Sequence, residues 1–513
     1  MTARGTRCPD RTAVSALSVR CRRWTEMSWA QRALTTDTGC RASRRKEPSM
    51  STPAVSATAL PEFVAATATR LGIPGAAVGV WADGRETFAC HGVTSVENPL
   101  PVDPHTLFTL GSVSKTFTAT VVMHLVTAGL IELDAPVRRY VPELILADER
   151  AAAEMTVRNL LNHTAGLGIR LIVETGDGDD ALAAYVGRMR ELEMIGAVGD
   201  RASYSQAGYN LLGRIVEKVT GGTFEQTVTD LALEPLGLRD TCYRPAEAMV
   251  KRFAVGHNPD GNGGVVVARQ WKDTRGNNPG GGIASTVTDQ LRWARLHLGD
   301  LDDAAARGVL PLEVRRRMQQ PTVALRGSSL GDAFGLCWFL RAVGSEGVHT
   351  VGHGGSGNGQ FADLLLVPER NFAVTVMCSG PDGVAFTRAV TRWALEHYLG
   401  VVDRDPEPIP FDGDRARELV GHYATEVMTL TVRTTADGMA LETRLKPEIR
   451  ATSKTELPAD YPPFDFGLLP GDGDDYIVTG GAFTGQRGFF TRDSAGTVVG
   501  IDLAGRLFTR VAD

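Results

Sequence analysis

The sequence has no apolar run approaching the roughly 20 residues needed to cross a bilayer, so a membrane-spanning helix is excluded from the reading. It has no positive excess either. Lys and Arg number 54 against 60 Asp and Glu, a net charge of -6, and no basic stripe runs through the body of the chain. The charge gives no overall attraction to nucleic acid or anionic membrane, and nucleic acid is set aside as a partner. Cysteine is scarce, with seven in 513 residues. Cys90, Cys242, Cys337 and Cys378 stand singly in apolar surroundings without zinc spacing, which points to buried free thiols in a reducing compartment and to no metal or other cofactor. A secretory leader is also missing, because polar or charged residues interrupt every candidate for its apolar run of roughly 7–15 residues. The expected location is the cytoplasm.

What is present is the composition of a folded protein, 43% apolar and 22% charged. The length exceeds one ordinary core. Residues 1–49 stand apart: rich in Arg, poor in acid, without apolar periodicity. A start codon placed upstream of Met50 explains them, and an organelle-targeting leader is the alternative. Residues 55–402 read as the main domain. Gly75 to Val80 is a strand, Asp83-Gly84 a turn, and Glu86 to Cys90 a second strand. Helical spacing runs from Phe117 to Val126 and stops at Gly129. Val157 to Leu298 is mainly helical, with a stripe from Leu211 to Val219 before Gly221-Gly222 and a capping-box pattern at Thr286 to Asp289. Phe361 to Val367 and Phe372 to Met377 form a hairpin, and a helix follows around Phe386 to Tyr398. Prolines among charges mark 403–412 as a linker. Short alternating runs over 413–513, such as Met428 to Val432 and Met439 to Thr443, predict a small antiparallel barrel or sandwich.

Ser112-Val113-Ser114-Lys115 has S-x-x-K spacing at a helix entrance, where positions i and i+3 share a side. A serine hydroxyl is a weak nucleophile until a base takes its proton, and a desolvated lysine can be that base. The N-H groups at the start of the helix can stabilise a developing oxyanion. No G-x-S-x-G elbow surrounds any serine, and the glycine spacing before Lys115 is wrong for a phosphate-binding loop. His349 and His353 lack a carboxylate or cysteine cluster, so no metal site is assigned.

Tyr204-Ser205-Gln206 precedes a strongly patterned helix, and Gly352-His353-Gly354-Gly355-Ser356 precedes the hairpin. With these three segments in this order, the chain resembles the serine β-lactamase and penicillin-binding-protein superfamily, in its class C-like branch of esterases, D-aminopeptidases and D,D-peptidases. The resemblance covers roughly Leu60 to Gly400, including Gly72 to Gly75, Leu160 to Gly166, Tyr209 to Gly213 and Gly281 to Thr286. It implies an α+β fold, an antiparallel sheet flanked by helices with a mainly helical subdomain, and a lipocalin-like barrel after it. It also implies Ser112 as acylated nucleophile, Lys115 as its proton partner and Tyr204 as the proton link to the leaving group. His353 and Gly355 would line the substrate strand, the N-H groups of Ser112 and Ser356 would form the oxyanion hole, and Gln206 would contact substrate. His163 is assigned a structural turn.

Two positions depart from that family's pattern. Gln206 stands where Asn is usual, so its amide reaches further. His353 replaces a lysine, removing a fixed charge that would attract a carboxylate and favouring an esterase or peptidase over an efficient β-lactamase. The expected partner is a small-molecule or short-peptide acyl substrate, and the oligomeric state is left open. Two competing readings are an inactive penicillin-binding-like module and an α/β-hydrolase with a Ser/His/Asp triad, the latter disfavoured by the missing elbow.

Overall fold

Two segments without a single charge, Gly75–Ala82 (β1) and Phe372–Ser379 (β8), are buried along almost their whole length. Strands of that kind must lie inside a sheet covered on both faces. The computed structural model describes residues 56, 58–169, 173–452, 460, 462–471, 473–481 and 483–511, so the Arg-rich leader lies outside the described residues. In it the two strands pair antiparallel, Val78 opposite Val376. Arg85–Gly92 (β2) closes one edge, and on the other side follow Gln360–Val367 (β7), Val348–Ser356 (β6), Phe339–Val343 (β5), Gly331–Phe334 (β4) and Val323–Ser328 (β3). The eight-stranded order is β2-β1-β8-β7-β6-β5-β4-β3, antiparallel throughout.

Both faces are covered as the burial demands. Helices Ala59–Arg70 (α1) and Gly383–Leu399 (α5) seat Val64, Phe386 and Val390 against Val78, Val374 and Val376. The opposite face packs on Ser114–Thr127 (α2), Gln206–Thr220 (α3) and Val287–Leu298 (α4), where Phe117 and Trp293 stack with ring centres 3.9 Å apart. The expected helical subdomain is there with two short ribbons added: Phe108–Thr109 pairs with Ala284–Ser285, and His257–Pro259 with Val265–Val267. Gly221 ends α3 at φ 77°, a left-handed position that suits glycine. The capping box at Thr286 is only half formed. Thr286 accepts from the Asp289 N-H, but the Asp289 carboxylate turns away to the Asp240 N-H and the Thr241 hydroxyl. Those tertiary donors replace the local one.

Residues 403–412 contain no helix or strand. They are nevertheless held in place, because Asp403 pairs with Arg341 and Arg392, and Asp405 with Arg388 and Arg392. The strands that follow close into a barrel: Gly421–Ala424 (β9), Met428–Thr434 (β10), Met439–Leu445 (β11), Phe464–Leu468 (β12), Asp475–Val478 (β13), Arg487–Arg492 (β14), Val498–Leu503 (β15) and Arg506–Val511 (β16), with β16 pairing back to β9. Leu430, Leu441, Phe466, Tyr476 and Phe490 fill its interior, as the small circumference of eight strands requires.

The barrel packs on the main body beside the segment that carries Tyr204. Glu426 accepts from the Glu193 N-H at 3.1 Å, and Glu193 in turn accepts from Gly168. Burial, then the neighbouring Glu193 carboxylate, push the Glu426 carboxyl above its ordinary value of 4.5, against a weaker pull from Lys446. A carboxyl raised on folding keeps its proton where the unfolded chain has lost it, so its contribution to stability falls as pH rises above the unfolded value. Glu426→Gln, which cannot ionise, is expected to melt higher than the parent at about pH 8 and no higher at about pH 4. Thermal unfolding at the two pH values checks this.

Candidate active site

Ser112 sits on a single 3-10 turn, Gly111–Val113, that runs directly into α2. Gly111 makes the turn possible. Its φ is 50°, and a Cβ there would lie 2.4 Å from the Ser356 carbonyl oxygen. The opposing strand is equally tight, since a Cβ on Gly355 would fall 2.0 Å from the Leu110 oxygen and 2.9 Å from the Ser112 nitrogen. Two glycines thus let the nucleophile turn and the end of β6 meet backbone to backbone, bringing the Ser112 and Ser356 N-H groups to one seam.

One helical step on, Lys115 is fully buried. Its Nζ donates to Ser112 Oγ at 3.1 Å, to the Gly280 carbonyl at 2.6 Å and to Gln206 Oε1. It also lies 4.9 Å from the centre of the Tyr204 ring. The expected substrate contact of Gln206 meets a different geometry here. Its side chain points inward, with the amide oxygen on Lys115 and the amide nitrogen donating to Asn277 Oδ1 at 2.6 Å. The extra methylene lets the amide span from the lysine to the Asn277 loop.

Tyr204 closes the cleft from the other side. The preceding turn is built by His163, whose Nδ1 accepts the Ser205 N-H at 3.1 Å and whose ring packs 4.4 Å from that of Tyr204. Burial pushes the Tyr204 phenol well above its ordinary value, opposed first by hydrogen bonding toward Ser112 and then by the Arg506 charge. It is a neutral hydroxyl at physiological pH. Its oxygen is buried on the Ser112 side of the cleft.

His353 stacks on Phe339 with ring centres 4.2 Å apart. Its Nδ1 donates to the Gly354 carbonyl at 2.7 Å, which leaves Nε2 as an acceptor, and that atom too is buried without a partner among the described residues. Burial, then the Lys115 charge, push its pKa down to about 3. The imidazole is neutral and carries no charge to a substrate.

The barrel also brings a cation to this cleft. Ala504 and Gly505, at φ 54° and 72°, form a two-residue turn between β15 and β16, with Leu503 opposite Arg506. The Gly505 carbonyl accepts the Tyr204 N-H at 2.9 Å. Arg506 lies 5.6 Å from the Tyr204 ring centre and lines, with Ser112, Tyr204, His353 and Ser356, a cleft of about 330 Å³. Sequence reasoning missed Arg506, Asn277 and Gly280. An Ala-Gly pair between alternating runs signals a hairpin, but nothing local says where the hairpin tip lands. Among the described residues no group of three or more His, Cys, Asp or Glu is placed to hold a metal.

A family model described as Beta-lactamase matches residues 60–399. Penicillin-binding protein 4 of Amycolatopsis lactamdurans is 32% identical over 362 residues, 69% of this chain and 94% of its own length. Among solved structures, SurE superposes with a TM-score of 0.67 at 25% identity over 89% of this chain and 99% of SurE, a span that includes the barrel. A class C beta lactamase from Rhodobacter sphaeroides shares the fold of the main domain, with a TM-score of 0.53 at 24% identity over 66% of this chain and 99% of its own. The family match runs through both ends of the sheet and all the helices between them, and on that ground the chain belongs to the beta-lactamase family of serine hydrolases.

Proposed function

We propose that the protein hydrolyses an ester or an amide, including amides of D-amino acids, through an acyl-enzyme on Ser112. The observation that carries this reading is the bond from Lys115 Nζ to Ser112 Oγ inside a cleft shared with Tyr204 and the glycine seam. In the first half, neutral Lys115 takes the hydroxyl proton while Oγ forms a bond to the substrate carbonyl carbon. The oxyanion sits at the seam, facing the N-H groups of Ser112 and Ser356. As the tetrahedral species collapses, the proton passes from Lys115 through the Tyr204 hydroxyl to the departing oxygen or nitrogen. Water then attacks the ester carbonyl by the reverse route, releasing the acid and restoring Ser112.

Charge in the cleft bears on the substrate. His353 is neutral, whereas Arg506 supplies a guanidinium suited to a carboxylate or other anion on the portion of the substrate nearest the barrel. The main test is labelling by a fluorescent penicillin or a fluorophosphonate with mass mapping: attachment at Ser112, abolished in Ser112→Ala, supports the reading, and attachment elsewhere overturns it. A panel of short-chain esters, D-alanyl amides and cephalosporins sets the preference. Nitrocefin turnover matching that of a good ester would overturn the preference for esters and amides. Arg506→Gln is expected to raise KM about tenfold for substrates bearing a carboxylate and to leave uncharged esters unchanged, as loss of one charge-assisted contact predicts.

A further inference from the structure

A primary amine at the end of a lysine offers three directions beyond its carbon: two N-H bonds and one lone pair. At Lys115 two of these directions are set by the Gly280 carbonyl and Gln206 Oε1, oxygens that can only accept, and the third faces Ser112 Oγ. With both N-H groups drawn to the oxygens, the lone pair of the neutral amine is left aimed at the serine. This holds only while Gln206 presents its oxygen. The two ends of an amide are nearly the same size, so something else must decide which end faces the lysine.

The Asn277 loop supplies that decision. Gln206 Nε2 donates to Asn277 Oδ1 at 2.6 Å, and Asn210 Nδ2 donates to the same oxygen at 3.2 Å. Asn277 is an amide as well, and its own orientation is settled by Nδ2 donating to Asp273 Oδ2 at 2.9 Å. An ionised carboxylate can only accept. The polarity of the whole chain, Lys115 to Gln206 to Asn277 to Asp273, is therefore set at its far end. Asp273 is itself steadied by the Thr274 N-H on its other oxygen at 2.9 Å. Two glycines make room: a Cβ on Gly280 would lie 2.0 Å from Gln206 Nε2, and one on Gly281 3.3 Å from Asn277 Nδ2.

We propose that Asn277 and Asp273 are positioning residues, which orient the Gln206 amide and through it aim the Lys115 amine at Ser112. The inference rests on the acyl-enzyme reading given above. Gln206 stands between the two residues and the lysine, bonded to Asn277 and to Lys115. Their effect on the reaction would pass through the direction of an amide, a property that a packing role would not share.

The test uses the full chain, a fluorescent penicillin and the rate of Ser112 acylation followed across pH. Asn277→Ala removes the oxygen that accepts from Gln206, so either end of the Gln206 amide can face the lysine. It is expected to lower the plateau rate about tenfold, in the range that misplacing a reacting group costs, and to move the acid limb of the profile to lower pH, because an unlocked amide no longer favours the ammonium form. Asn277→Asp combined with Asp273→Asn keeps the lock, since the new amide can donate to the new carboxylate while that carboxylate still accepts from Gln206. The double swap is expected to stay within about threefold of the parent rate. If Asn277→Ala fails to fold, Asn277→Leu, of similar size and without an acceptor, carries the same expected loss and limb shift. A parent rate and unmoved limb in Asn277→Ala or Asn277→Leu, or a double swap as slow as those variants, would overturn the proposal. Absence of labelling at Ser112 in the parent would instead overturn the acyl-enzyme reading itself, and the two failures are thereby told apart.

Discussion

Lys115→Met is expected to slow acylation of Ser112 by about 10²–10⁴-fold, the contribution of a positioned general base. Methionine keeps the unbranched apolar stem, and the position is fully buried among side chains of α2 and α3, so the cleft stays filled. What is lost is the amine that bonds Ser112, Gly280 and Gln206. Two carbonyl acceptors are left without this donor, and a fall in stability of about 1–3 kcal/mol per unsatisfied buried group accompanies the loss of rate. The two effects are separable: thermal unfolding reads the second, and the time course of penicillin labelling on folded protein reads the first. A labelling rate within threefold of the parent in Lys115→Met would show that another group deprotonates the serine.

Gly355→Ala is expected to cost almost as much, from a single methyl group. That methyl would fall 2.0 Å from the Leu110 carbonyl oxygen and 2.9 Å from the Ser112 nitrogen, both backbone atoms that cannot rotate away. The end of β6 must withdraw from the nucleophile turn, which separates the Ser112 and Ser356 N-H groups. Misplacement of about 1 Å at a reacting centre costs on the order of 10²-fold, and loss of one oxyanion donor costs a similar factor. Gly354→Ala is the matched control, because a Cβ there meets nothing closer than 3.8 Å. The expected outcome is a drop of about 10² in acylation rate for Gly355→Ala with Gly354→Ala close to the parent. Equal rates in the two variants would remove the seam from the proposed reaction.

Several elements were legible because their causes are local. The buried strands of the main sheet follow from runs of uncharged residues, the end of α3 from Gly221, and the hairpin of β7 and β8 from Pro368 to Asn371 between alternating runs. The pairing of Ser112 with Lys115 needs one turn of backbone geometry and nothing more. Other features were hidden because a distant partner outbids a near one. Asp289 had the right spacing to complete a capping box, yet its carboxylate bonds Asp240 and Thr241, some 48 residues earlier in the chain. Gln206 read as a substrate contact whose amide reaches further than the usual Asn, but the sequence did not say that it reaches Lys115 and Asn277.

The sequence by itself determined the S-x-x-K pairing of Ser112 with Lys115, the strand and helix periods around them, and the antiparallel domain at the end, because each depends on residues a few positions apart. Only the tertiary structure decided that a barrel arginine reaches the cleft and which way the amides near Lys115 point. Arg506 reaches Tyr204 through the packing of a barrel hairpin on the main body, and the Gln206 amide takes its direction from Asn277 and Asp273 on another loop. Spacing along the chain carries no information about either, since both are set by which surfaces meet once the barrel and the main sheet have formed.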